Sequence, residues 1–116
     1  MDFLLTSGRR DIFDEAAERL GARLHYIPYS RKALGSFARD YRALLRRERY
    51  DAIHHHADYA AGWQFLIGFG VLPKVRVAHV HNPWLHITDN YAVSPARRLA
   101  ASGGKALVKA LATHVC

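Results

Sequence analysis

The sequence is poor in sulfur, in acid and in long apolar runs. Its 116 residues contain one cysteine, Cys116, at the very end. No internal disulfide can form, which fits a reducing compartment. No apolar stretch approaches the ~20 residues that a spanning helix needs, and no leader-like pattern opens the chain. Acid is scarce: 10 Asp and Glu face 17 Lys and Arg, for a net charge of +7 and a pI near 10.0. That imbalance favours polyanionic partners or an anionic membrane face, and it bears on partners rather than on fold. No nucleic-acid recognition motif accompanies the charge, so nucleic acid is not an expected partner.

What is present is an ordinary globular composition, 50% hydrophobic and 23% charged, on a chain long enough for one core. Its punctuation is regular. Residues 1–6 read as a strand, and Asp11 is placed to cap a helix with Ile12, Phe13, Ala16, Ala17 and Leu20 on one side and Gly21 as its stop. Leu24–Ile27 reads as a strand ended by Pro28, and residues 30–35 as a basic loop. Ser36 is expected to cap a helix to Glu48, with Phe37, Tyr41, Leu44 and Leu45 on its packed side. Arg39, Arg42, Arg46, Arg47 and Arg49 crowd the other side and the end. Cations suit a helix C-terminus, and the surplus suits an anionic surface.

Residues 52–54 form a third expected strand, 58–69 a largely apolar helix, and 75–80 a fourth strand stopped by Asn82–Pro83. Trp63 and Phe65 are expected in the core. The segment 84–93 is a long connection carrying Trp84, His86 and Tyr91. Ser94–Pro95 opens a helix to about Ala112, with Gly103–Gly104 weakening its middle, and 113–116 begins a last strand. Strands alternating with helices imply an α/β fold, a Rossmann-like parallel sheet flanked by helices.

Two strands end in histidines: His54–His55–His56, and His79 with His81 followed by Asn82. The carboxyl edge of a parallel sheet is where ligands bind. Side-chain alternation places His54 and His56 on one face and His55 on the other. His55 and His79 are expected to be structural, and His81 functional. Both His54/His56 and His79/His81 are also His-x-His pairs. With Asp58 or Asp89 they are admissible zinc ligands, which would make a metal-dependent hydrolase. A third alternative is a non-enzymatic binding module working with a partner chain.

Several segments in order resemble the N-terminal domain of family-four glycosyltransferases of the GT-B fold, the enzymes of exopolysaccharide and capsule synthesis. They are residues 2–7, Phe13–Asp14–Glu15 with Leu20–Gly21, Ile27–Pro28, the run from Tyr50 to His56, the run from Val75 to Asn82, and Ala112–Thr113–His114. Each motif is weak alone, and their shared order makes the match specific. The resemblance implies transfer of a sugar from a nucleotide-sugar to a lipid-linked or saccharide acceptor, with retention and with no metal or other cofactor. It implies His81 as the catalytic residue, with His54, His56, Asn82 and Trp84 contacting substrate. Arg39, Arg42, Arg46 and Arg49 would meet an anionic acceptor or the inner membrane face, at a cytoplasmic location. Residues 1–116 would form one partial domain, without the family's first strand and glycine-rich loop and without the C-terminal donor domain. Such a piece is expected to be inactive alone. Its strands at Phe3 and Ile53 would lack a common neighbour and present sticky edges, to be re-paired or covered by another chain.

Overall fold

The computed structural model describes residues 1–81 and 94–116. Its elements are β1 (Asp2–Leu5), α1 (Asp14–Arg19), β2 (Arg23–Tyr26), α2 (Leu34–Glu48), β3 (Ala52–His55), α3 (Ala60–Gly68), β4 (Val75–Ala78), α4 (Pro95–Leu111) and β5 (His114–Val115). Strands and helices alternate and every strand pair is parallel, giving the expected Rossmann-like α/β fold. The strands fall into two sheets, β1–β2 and β3–β4–β5. The chain divides into two compact units, Met1–Leu44 and Leu45–Cys116, and α2 runs across the boundary.

In the first unit, β1 pairs with β2 in the register Asp2↔Arg23 to Leu5↔Tyr26. Gly21 adopts φ +86° and ends α1, as its freedom from a Cβ allows. The start of α1 differs from expectation. Asp11 does not cap it; Asp14 lies in the first turn and its carboxylate accepts the Asp11 amide at 2.9 Å and the Tyr26 hydroxyl at 2.8 Å. With six residues, α1 is too short to bury a full apolar stripe: Ala16 and Ala17 are half-buried while Ile12, Phe13 and Leu20 are exposed.

The entry to α2 also differs. Ser30, not Ser36, caps, accepting from the Ala33 amide ahead of a 3₁₀ turn (Arg31–Ala33) that feeds the helix. Ser36 lies inside α2 and donates back to the Ala33 carbonyl. The packed side is as expected: Phe37 and Tyr41 are fully buried, and Phe37 meets the Tyr29 ring edge-on at 4.9 Å.

The amide of Asp11, then the Tyr26 hydroxyl, hold the Asp14 carboxyl below its usual range. Asp14 therefore stabilises the fold above the ordinary carboxylate value of 3.8, and that contribution is lost as pH falls below it. Asp14→Asn is expected to reduce the acid sensitivity of unfolding, measured as urea midpoints between neutral pH and pH 3.

In the second unit, β4 is central, with β3 in the register Ala52↔Val75 to His55↔Ala78 and β5 on its other side. One face of this sheet is covered by α3 and α4. Ala61, Phe65, Ala78 and Val108 are buried there, with Ile53, Leu72, Leu111 and Ala112 packed around them. Arg76 fastens the lower edge, donating to the carbonyls of Leu111, Pro73 and Lys74. Ser94 caps α4 with Pro95 at its first position, as the sequence indicates. Trp63, expected in the core, is instead partly exposed, because its Nε1 reaches out to the Ala100 carbonyl at 2.9 Å.

The glycines of α4 are contact residues. A Cβ on Gly104 would lie 2.3 Å from the Tyr59 carbonyl oxygen, and one on Gly62 2.2 Å from the Gly104 carbonyl oxygen. The two helix backbones meet there, an approach that only glycine permits.

Candidate functional site

Alternation along β3 and β4 builds the site. Ile53, His55 and Ala78 point into the helix-covered core. His54, His56 and His79 therefore stand on the opposite face. The ladder continues past the strands through His79 N–H to the His55 carbonyl at 2.8 Å, which keeps the rings in register. His55 is 8% exposed and meets Phe65 edge-to-face at 5.0 Å. Burial, then the neighbouring imidazoles of His54 and His56, push its pKa down to about 4, so it is neutral near pH 7.

On the open face the rings form one stack. His54 and His56 are 4.2 Å apart between centroids, and His56 and His79 5.0 Å. His79 and His81 are 4.3 Å apart, with planes 14° from parallel. His56 Nδ1 lies 3.1 Å from His81 Nε2, a hydrogen bond in which one ring donates and the other accepts. Partial desolvation, then His54 and His81, hold the His56 pKa below the ordinary imidazole value. A neutral imidazole can accept hydrogen bonds from hydroxyl groups or bind a metal.

The stack is anchored by Asp58, whose Oδ1 accepts the His81 amide at 2.6 Å. Asp58 sits at φ +48°, a left-handed conformation that Asp tolerates better than most residues. That carboxylate ties the segment after β3 to the segment after β4 and fixes where His81 stands. The sequence suggested Asp58 only as a metal ligand; its role as an amide acceptor has no local signal. His79, expected to be structural, belongs to the stack. The period-two spacing of Val77, His79 and His81 is the signal that places it there.

The structure thus brings together His54, His56 and His81 of the expected site residues. Asn82 and Trp84 lie outside the described residues, as do Asp89 and the rest of segment 84–93. Arg39, in α2, forms a two-point contact with Asp40, through Nε at 2.7 Å and a terminal nitrogen at 3.3 Å. Arg42 is half-buried, and Arg46 is exposed in the last turn of α2. Arg46 and Arg49 line a concavity of about 610 Å³ with Leu45, Asp51, Leu72 and Lys74. Asp51 and Lys74 immediately precede β3 and β4, so this hollow lies at the amino edge of the sheet, the opposite end from the imidazoles.

A parallel α/β sheet with helices over one face and polar rings gathered at its carboxyl ends is a Rossmann-like arrangement with its candidate site where such sheets bind ligands. The profile of Glycosyltransferase Family 4 matches residues 3–116, and the chain belongs to that family. It is 28% identical over 74 residues to the capsular polysaccharide biosynthesis glycosyltransferase CapH of Staphylococcus aureus, a match covering 64% of this chain and 20% of CapH. The chain thus aligns with about a fifth of that relative's length. No solved structure matches it significantly. Among the described residues, no helix is long and apolar enough to cross a membrane.

Proposed function

We propose that residues 1–116 form a partial acceptor-side, N-terminal Rossmann-like domain of a retaining glycosyltransferase. The complete enzyme moves a sugar from a nucleotide-sugar to a lipid-linked or saccharide acceptor in exopolysaccharide or capsule synthesis. The observation that carries this reading is the convergence of His54, His56 and His81 on one open face, in a chain of this family. In the proposal His81 is the catalytic contact, its imidazole hydrogen-bonding the transferred sugar or the acceptor hydroxyl while Asp58 holds its backbone. His54 and His56 line the acceptor cleft. Asn82 adds amide hydrogen bonds and Trp84 a stacking surface.

The nucleotide-sugar is a co-substrate held mainly by a donor-side domain, whose cations and helix N-termini would stabilise the leaving diphosphate. Arg39, Arg42, Arg46 and Arg49 would meet an anionic acceptor or the inner face of the membrane, placing the enzyme in the cytoplasm as a peripheral protein. The capsular polysaccharide role of the Staphylococcus relative supports the polymer class.

The test is transfer by a two-domain family-four enzyme that carries this sequence as its acceptor half. Substitution His81→Ala is expected to lower kcat on the order of 100-fold. Wild-type turnover in that variant would remove His81 from the chemistry. The 116-residue chain without a donor-side domain is expected to give no measurable transfer.

A further inference from the structure

We propose that His54, His56 and His79 form a binding site for a late first-row divalent cation of the Zn²⁺ class. One nitrogen from each of the three rings lies within 4.8 Å of the others, on a face where His54 and His56 are exposed and His79 half-buried. Tetrahedral Zn²⁺ sites hold nitrogen at about 2.0 Å. Three such donors therefore need separations near 3.3 Å, which small rotations of exposed rings supply. Three imidazoles leave a fourth position open to water.

The surroundings suit a cation of this class. His56 Nδ1 touches His81, so a fourth ring stands against a ligand and can orient it. His81 is in turn positioned by Asp58. His54 lies in β3, and His56 and His79 directly follow β3 and β4, where His79 N–H still donates to the His55 carbonyl, so the set stands at the end of the sheet ladder. The site does not depend on glycosyl transfer. Occupancy would, however, engage His54 and His56, so metal and saccharide would compete for them.

The experiment uses the full 116-residue chain without an affinity tag, titrated with ZnCl₂, NiCl₂ and MgCl₂ by isothermal calorimetry. One Zn²⁺ per chain is expected, Ni²⁺ is expected to bind the same site, and Mg²⁺, which prefers oxygen ligands, is expected not to bind. His54→Gln, His56→Gln and His79→Gln are each expected to weaken Zn²⁺ at least about 10-fold. His114→Gln and Cys116→Ser are expected to leave it unchanged. Far-UV circular dichroism of each variant separates lost ligation from lost fold. Ni²⁺ should also broaden the imidazole proton resonances of His54, His56 and His79. Absence of Zn²⁺ binding, undiminished binding in a variant carrying His54→Gln, His56→Gln and His79→Gln together, or loss of binding in Cys116→Ser would each overturn the assignment. None of these results depends on sugar transfer, so failure here leaves the proposed enzyme reading to its own test.

Discussion

Alanine in place of Gly104 is expected to destabilise the second unit by about 3 kcal/mol, at the upper end of the usual cost of overpacking. Helix propensity alone gives the opposite sign, since alanine is better than glycine in a helix interior by about 1 kcal/mol. The structure reverses the outcome because the added carbon would meet backbone, not a movable side chain: 2.3 Å from the Tyr59 carbonyl oxygen. Relief requires α3 and α4 to separate, and that opens the packing of Ala61, Phe65 and Val108 against the sheet. Gly62→Ala meets the Gly104 carbonyl oxygen in the same way and should behave alike. Gly35→Ala is the control. It is also helical but has no atom within 4 Å of the new carbon, and it should be neutral or stabilising by up to about 1 kcal/mol. Urea midpoints of the three variants decide the matter; a gain in stability for Gly104→Ala would show that the helices do not approach as described.

The second large effect is acid destabilisation centred on His55. Its folded pKa is lowered to about 4 from the ordinary 6.5, by burial first and by the neighbouring imidazoles second. Above pH 6.5 the ring is neutral in both folded and unfolded chains and contributes no pH dependence. As pH falls from 6.5 toward 4 the unfolded chain takes up a proton that the folded chain refuses, so the unfolded state gains. At about 1.4 kcal/mol per pH unit, the loss reaches about 3 kcal/mol at pH 4. Stability measured by denaturant titration should fall through this window, and His55→Leu should flatten it. An unchanged slope in that variant would show that His55 is not the buried titrating group. Asp14 acts below this range, in the first unit, so the two contributions separate by pH.

Local pattern carried much of this in advance. The helical spacing of Phe37, Tyr41, Leu44 and Leu45 marked the buried side of α2. Period-two alternation separated His55 from His54 and His56, and Ser94–Pro95 marked the start of α4. These are short-range constraints, set by backbone geometry and by caps that neighbouring residues supply. Other local signals were overridden by a competing cap, a partner on another element or a short helix. Asp11 and Ser36 looked like caps, but the cap position of α1 is Phe13 with no side-chain cap bond, Asp14 in its first turn is engaged by Tyr26 on β2, and Ser30 caps a 3₁₀ turn that begins the helix earlier. Ile12, Phe13 and Leu20 looked like a packed stripe on a helix too short to bury one.

The sequence by itself determined the alternating parallel α/β fold and the two histidine-bearing strand ends, because apolar periodicity and turn residues act within a few positions; its ordered motifs resembled the family to which the chain belongs. Only the tertiary structure decided that His79 joins His54, His56 and His81 in one stack, that Asp58 holds the His81 amide, and that Gly62 and Gly104 are contacts rather than weak points. Each of these depends on strand register or helix approach between residues more than twenty positions apart. Such distances are fixed by how the chain packs, and no local spacing encodes them.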